Sequence, residues 1–136
     1  MEIVLRSDEN NQAWLEATFT PEDGYRLYSK DIPPGGIDGL GRPTLLELLP
    51  GSQMIPTGAL TESIGAQEEA GLEGLLTYPE GPVRLSLPIQ LPEGTGWIDE
   101  TISVTYMACR TGTCVAPVIN KLVTVRVPGA EEFQIP

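Results

Sequence analysis

The stretch 101–108, Thr-Ile-Ser-Val-Thr-Tyr-Met-Ala, shows the clearest alternation of apolar and polar side chains in the sequence. One face of it carries Ile102, Val104, Tyr106 and Ala108. A period of two residues is typical of a strand with one buried face. Residues 119–127 repeat the pattern, with Lys121 as the exception on a face formed by Ile119, Val123, Val125 and Val127. We therefore predict that these two stretches are strands and that they pair with each other.

The N-terminal part of the chain shows the same period. It predicts a strand at Ala13–Phe19, then a Pro-Glu-Asp-Gly turn and a returning strand at Tyr25–Ser29. The stretch 31–41, Asp-Ile-Pro-Pro-Gly-Gly-Ile-Asp-Gly-Leu-Gly, is too rich in Pro and Gly for regular structure. We expect a long loop there.

The middle of the chain predicts further short strands. Thr44–Leu49 is one, and residues 52–74 form an acidic, Gly-rich excursion without clear period. Leu75–Tyr78 and Val83–Leu91 are expected to pair across the intervening Pro-Gly turn, which requires Pro88 to lie at an edge or a bulge. Seven to nine strands at this spacing predict an all-β fold, an antiparallel β-sandwich of immunoglobulin-like type.

The 136 residues are expected to form one domain around one core. We predict a single domain at residues 1–128 and a tail, or the start of a linker, at 129–136. No apolar run approaches the roughly 18 residues of a membrane-spanning helix, so no membrane insertion is expected. Met1 is followed by Glu-Ile-Val-Leu-Arg, which is unlike an export signal. The protein is therefore either cytosolic or a mature segment with an added start Met.

The charge balance and the absence of histidine exclude several function classes. Eight basic and nineteen acidic residues give a net charge of -11, which disfavours nucleic acids and anionic membranes as partners. Without histidine, the chain cannot use His-based acid–base catalysis, Ser-His-Asp or Cys-His nucleophile pairs, or His-containing metal sites. Its strongly nucleophilic side chains are those of Cys109 and Cys114.

The two cysteines flank the turn sequence Arg-Thr-Gly-Thr, which predicts that they lie opposite each other on a hairpin. Opposed antiparallel residues have Cα atoms about 4.5 to 5.5 Å apart, within reach of a disulfide. Three interpretations are open at this point. The pair is a redox site, a local staple in a non-enzymatic binding sandwich, worth only about 2 kcal/mol because the loop is short, or, with Met107, a soft site for Cu(I).

The C-terminal third, Val104-Thr105-Tyr106-Met107-Ala108-Cys109, a four-residue turn and Cys114-Val115-Ala116-Pro117, resembles the N-terminal periplasmic domain of the DsbD thiol:disulfide interchange family. The stretch 23–30, Asp-Gly-Tyr-Arg-Leu-Tyr-Ser-Lys, is similar to an early strand of that family. Residues 39–44, Gly-Leu-Gly-Arg-Pro-Thr, and 85–89, Leu-Ser-Leu-Pro-Ile, also fit. The resemblance covers about residues 13–127.

The resemblance implies an immunoglobulin-like domain that relays electrons by thiol–disulfide exchange. It would receive them from a membrane reductase through a thioredoxin-like domain and pass them to periplasmic thiol–disulfide proteins. Cys109 and Cys114 would be the redox pair, with Cys114 facing the partner and Cys109 resolving the mixed disulfide. No metal or organic cofactor is implied. The domain would be a periplasmic monomer whose export signal has been removed.

The resemblance also implies residues that line the site. Tyr28 matches a family site tyrosine, and Arg26 stands where another site tyrosine is found. The family's cap loop would fall at 67–76, where Glu68 and Glu69 are candidate site residues and where, in the absence of an aromatic residue, shielding would come from Leu72 or Leu75. Beside the cysteines lie two further candidates, Arg110 and Pro117. Arg110 would favour a thiolate, whereas an acidic loop would raise the thiol pKa.

Overall fold

The structure is a computed structural model that describes residues 1–69 and 72–133. This part of the chain contains thirteen strands and one short helix. The elements are β1 (Glu2–Ser7), β2 (Ala13–Phe19), β3 (Arg26–Leu27), β4 (Leu45–Leu48), β5 (Ile55–Pro56), β6 (Thr61–Glu62), β7 (Gln67–Glu68), β8 (Leu76–Thr77), β9 (Val83–Gln90), β10 (Trp97–Tyr106), β11 (Ala108–Arg110), β12 (Thr113–Cys114), β13 (Val118–Pro128) and α1 (Ala130–Phe133).

Two antiparallel sheets form the body of the domain. Sheet I has the order β1-β2-β9-β5, with β6 also paired to β9, and sheet II has the order β13-β10-β4. The alternating apolar residues of β2 and β9 are buried against those of β10 and β4, as expected for two half-buried sheets packed face to face. The fold prediction of an immunoglobulin-like β-sandwich is confirmed. No helix in the described ranges is long and apolar enough to cross a membrane.

Two smaller sheets lie beside this body. The first is the hairpin sheet, with the order β12-β11-β3, and the second is the pair β7-β8. A cluster of three buried residues, Tyr28, Ile32 and Leu75, underlies them, and Leu72, Met107 and Cys109 are among the half-buried residues that pack on it. We call this group the second cluster. It is separate from the main core between sheets I and II.

Some predicted pairings in the middle of the chain are wrong. β8 pairs with β7 and not with β9, because β9 already has β2 on one side and β5 and β6 on the other. Pro88 accordingly lies inside sheet I. Its carbonyl accepts a hydrogen bond from the Thr57 N–H (2.9 Å), and because proline has no N–H, it returns no bond to this segment just after β5.

The predicted returning strand at Tyr25–Ser29 is also different in the structure. Only Arg26–Leu27 is a strand, and it pairs with β11 of the cysteine hairpin and not with β2. Tyr28 continues it with isolated bridges to Pro43 and Thr77. This segment therefore links the hairpin to the second cluster.

The pairing of the two best-patterned stretches is confirmed, with one local correction. β10 and β13 pair from Trp97↔Pro128 to Val104↔Lys121, and the register then shifts by one residue before Tyr106↔Val118. The extra residue in β13 forms a bulge, where Asn120 has a φ of 51°. Because of the bulge, Ile119 does not join the buried face that was predicted for it, and it is 53% exposed.

The segment after β13 lies against the sandwich. The Gly129 N–H donates to Gly96 O (2.8 Å) and the Ala130 N–H donates to Pro92 O (2.7 Å). Gly129 and Ala130, the first two residues of the predicted tail, are thus hydrogen-bonded to the loop before β10. Residues 134–136 of that tail lie outside the described part.

Tyr78 joins three segments of the chain. Its side chain is fully buried, its hydroxyl donates to the Glu62 carboxylate, and the same oxygen accepts from the Lys30 N–H (3.0 Å). Burial, and secondarily the Glu62 carboxylate, raises the pKa of the Tyr78 phenol above its ordinary value. The neutral phenol is therefore the form that the folded state stabilises.

Substituting Tyr78→Phe should lower the free energy of unfolding by about 1 to 2 kcal/mol at neutral pH, because two hydrogen bonds are lost. In the wild type, the contribution of the Tyr78 phenol to stability should be constant below a pH of about 10 and fall above it, since the unfolded phenol ionises first. The variant should lose less stability over that alkaline range. Urea unfolding followed by tryptophan fluorescence from neutral to alkaline pH measures both effects, and an identical alkaline decline in the two proteins would contradict the assignment.

Candidate functional site

A short hairpin presents the two cysteines. Cys109 in β11 and Cys114 in β12 are directly opposed, joined by a disulfide, and have Cα atoms 4.1 Å apart. The Val115 N–H donates to Ala108 O (3.0 Å), so the neighbouring pair is hydrogen-bonded and the cysteines occupy the closer, non-hydrogen-bonded kind of position. The turn relies on Gly112, whose φ is +78°. The predicted hairpin geometry is confirmed.

The two sulfurs differ in their surroundings. Cys114 is exposed, as are the turn residues before it and the residues 115–117 after it. Cys109 is half-buried and packs on the second cluster. An incoming thiol can therefore reach Cys114 from solvent, whereas Cys109 is covered on its inner side.

Arg26 extends the row of cysteines by one position. In the hairpin sheet, Cys114 is opposite Cys109, and Cys109 is opposite Arg26 on the other side. Opposed residues of antiparallel strands project to the same face, so the three side chains form one row across β12, β11 and β3. This row faces an open depression of about 890 Å³.

The part of the depression beyond β3, as seen from the cysteines, is lined by the residue that follows β3 and by the segments around β7 and β8. It includes Tyr28, Thr77, Glu69 from the end of the β7 hairpin strand, and Glu80 from the turn before β9. Both carboxylates therefore lie next to the strand that carries Arg26, since Glu80 Oε1 is 3.7 Å from a Cβ placed on Gly24 and Glu69 acts on the Tyr28 phenol. Thr77 and Glu80 were not predicted, since neither belongs to a motif, and only the bridge between Tyr28 and Thr77 brings their segment beside β3.

Tyr28 is the most constrained of the predicted site residues. Its side chain is 7% exposed, and its carbonyl accepts from the Thr44 hydroxyl (2.7 Å) and the Thr44 N–H (3.2 Å). A Cβ placed on Gly41 would lie 2.8 Å from the Tyr28 ring, so glycine is required for this packing. Burial, and secondarily Glu69, raises the pKa of the Tyr28 phenol. The phenol therefore stays protonated at neutral pH.

The predicted cap loop at 67–76 is a β7–β8 hairpin, in which residues 70 and 71 lie outside the described part. Glu69 lines the depression and is held through its N–H, which donates to Leu75 O (2.8 Å). Glu68 is turned to the hairpin itself, since its carboxylate accepts from the Gly74 N–H (3.3 Å). Leu72 packs on the second cluster beside Cys109 and does not line the depression.

The remaining predicted residues lie around the hairpin. Arg110 lines the depression next to Cys109, but its guanidinium lies 5.2 Å from the centre of the Tyr25 ring, a cation–π contact. Pro117 is exposed and is not part of the lining. Met107 is half-buried on the second cluster and also lines a separate depression of about 260 Å³ with Phe19 and Val115. In the described ranges, no cluster of three or more His, Cys, Asp or Glu side chains could hold a metal ion.

Comparisons with known proteins bear on the fold. No family model and no curated protein matches the sequence. Among solved structures, the crystal structure of the N-terminal domain of Neisseria meningitidis DsbD in the reduced form matches with a TM-score of 0.54. The match covers 93% of this chain and 82% of that chain.

This chain has a DsbD-like fold. The identity to the Neisseria DsbD domain is 18%, so the likeness concerns the path of the chain, and the fold expected from the sequence resemblance is confirmed. In this chain the cysteine hairpin continues from β10 of sheet II and lies beside the depression. The chemistry of that hairpin has to be argued from its own residues.

The unequal burial of the two sulfurs predicts unequal reactivity after reduction. Cys114 should be alkylated by iodoacetamide faster than Cys109, because only Cys114 is exposed to the reagent. Stopping the reaction at short times and quantifying the two modified peptides by mass spectrometry measures the ratio. In urea the two rates should converge. Preferential labelling of Cys109 in the folded protein would show that the assignment of the accessible sulfur is reversed.

Proposed function

We propose that this protein is a thiol–disulfide exchange module that relays electrons to protein disulfides through Cys109 and Cys114. The observation that carries the proposal is the pairing of an exposed sulfur with a covered one in a disulfide beside an open depression. The DsbD-like fold supports it, because the Neisseria structure is that of a DsbD domain in its reduced form.

The exposed position of Cys114 makes it the attacking sulfur of the reduced protein. Its thiolate attacks one sulfur of a partner disulfide, forms a mixed disulfide and releases the other partner sulfur as a thiolate. Cys109, 4.1 Å away between Cα atoms, then attacks Cys114, restores the internal disulfide and releases the second partner thiolate. The two electrons and the two thiol protons of the cysteine pair pass to the partner. No metal or organic cofactor takes part in these steps.

The surrounding residues would have supporting roles. The second cluster, with Leu72 at its margin, would keep Cys109 shielded from solvent oxidants and from unproductive attack. Tyr28 and Glu69 would shape the side of the depression against which the partner rests, whereas Glu68 would keep the β7–β8 hairpin closed through Gly74. Arg110 would brace the cysteine turn through Tyr25, and Pro117 would end the hairpin before β13.

The cellular context is part of the same proposal. An exchangeable disulfide persists in an oxidising compartment, so we place the protein in the bacterial periplasm. A thioredoxin-like domain would reduce the disulfide, and periplasmic thiol–disulfide proteins would accept the electrons. We expect the protein to act as a monomer.

A disulfide on which the fold depends predicts unfolding on reduction, whereas an exchangeable one predicts that the reduced protein stays folded. Closing a loop of about six residues stabilises a folded chain by only about 2 kcal/mol. We therefore expect reduction, or the Cys109→Ser/Cys114→Ser double variant, to lower the free energy of unfolding by about that amount while the circular dichroism spectrum stays that of a folded β-protein. Urea unfolding of the oxidised and reduced forms tests this. Loss of the folded state on reduction would favour the staple.

Trapping of a mixed disulfide tests the exchange chemistry directly. In the Cys109→Ser variant, Cys114 should displace thionitrobenzoate from an activated thioredoxin-like protein that retains one active-site cysteine, and the resulting complex should be stable. The Cys114→Ser variant should form the complex more slowly, because its remaining thiol is covered. The wild-type reduction potential, measured in glutathione buffers, should lie above about -300 mV, the range of exchangeable disulfides. A lower potential together with no complex would refute the proposal.

A further inference from the structure

We propose that Arg26 makes this site selective for protein disulfides that carry a carboxylate close to the reacting cysteine. The inference rests on the proposed exchange function and adds the chemical character of the partner. It starts from the row of side chains on the hairpin sheet, in which Arg26 is the direct neighbour of Cys109 on the side opposite to Cys114.

The guanidinium of Arg26 is available to a partner. Arg26 is exposed and lines the depression, and it belongs to none of the ion pairs within residues 1–69 and 72–133. Five of the other seven basic residues are engaged: Arg6, Arg84 and Lys30 pair with carboxylates, Arg42 donates to three backbone carbonyls, and Arg110 lies over Tyr25. Lys121 and Arg126 lie on β13, away from the cysteine row, so Arg26 is the basic residue of the row that is open to a partner.

The distance from Cys114 to Arg26 can be spanned by a partner residue that lies one or two positions from the partner's reacting cysteine. Neighbouring strands lie about 4.8 Å apart, so Arg26 lies roughly 10 Å from Cys114 across two strand spacings. An extended chain advances about 3.4 Å per residue, and a Glu or Asp side chain adds to that reach. With its sulfur on Cys114, a partner can therefore place a carboxylate on Arg26 from one or two residues away.

The other charges around the depression fix the direction of this contact. Glu69 and Glu80 lie beyond Arg26 as seen from the cysteines, next to Tyr28 and Gly24, and would repel a carboxylate placed there. A partner with an acidic flank is favoured only when its carboxylate lies on Arg26 itself, between the cysteines and the glutamates, whereas a basic flank is repelled by Arg26 and attracted to the glutamates. The charge pattern thus selects both the partner and its orientation.

Matched peptides test the inference on the reduced wild-type protein. The probes are disulfide-linked dimers of one short peptide with Glu, Lys or Ser on both sides of its cysteine. Each exchange rate is divided by the rate of the same dimer with 2-mercaptoethanol, which removes differences in the leaving thiol. At low ionic strength the Glu dimer should react about fivefold faster than the Lys dimer, as expected for one or two exposed charge pairs. High salt should reduce that ratio.

Variants distinguish an effect of the charge at position 26 from an effect of the net charge of the protein. Arg26→Gln should bring the Glu-to-Lys ratio close to one, and Arg26→Lys should restore most of it. Arg126→Gln removes the same charge from β13 and should leave the wild-type ratio unchanged. An unchanged ratio in Arg26→Gln, or a wild-type preference for the Lys dimer, would overturn the inference.

Two further outcomes separate this inference from the proposed function. If the wild type exchanges with none of the dimers, the Ser dimer included, the exchange function itself fails. If it exchanges with all three at equal normalised rates, exchange stands and the role of Arg26 fails. Glutathione disulfide serves as a small anionic probe, and a faster normalised rate with it than with the Glu dimer would overturn the assignment to protein partners.

Discussion

At Met107, strand β10 ends and the chain continues directly into β11, so the cysteine hairpin is an extension of the central strand of sheet II. A hairpin with strands of three and two residues is not stable in isolation. Its position depends on β10, which is held by β13 on one side and β4 on the other, and on β3, which adds a third strand. The other strand of the hairpin continues through residues 115–117 into β13, so both ends of the hairpin are anchored in sheet II.

The second cluster gives the site a rigid base outside the main core. Tyr28 and Ile32 come from one turn and Leu75 from the segment before β8, and Gly41 and Thr44 contact Tyr28. A small satellite core of this kind serves the region around the disulfide and contributes little to the sandwich. The long loop at residues 31–41, which is rich in Pro and Gly, contributes to this cluster because it brings Gly41 against the Tyr28 ring.

The sequence predicted most of the long elements, with the exception of β1, and missed most of the short ones. The stretches in β2, β10 and β13 have enough residues for a period of two to appear, and the Arg-Thr-Gly-Thr turn defines the hairpin. Strands of two residues, such as β3 and β8, show no period, so their partners could not be assigned. Glu68 and Glu69 were equivalent as sequence, and only the backbone bonds of the β7–β8 hairpin decide which one lines the depression. The bulge at Asn120 likewise leaves no trace in an alternating pattern.

The smallness of the disulfide loop has a thermodynamic consequence for the redox couple. The stabilisation of the folded state by a disulfide equals the difference between the reduction potentials of the folded and the unfolded chain, because the four states form a closed cycle. For a stabilisation of about 2 kcal/mol that difference is about 40 mV. Folding therefore makes the pair only slightly harder to reduce than the same two cysteines in a flexible peptide, and the domain can be reduced and reoxidised repeatedly without putting its folded state at risk.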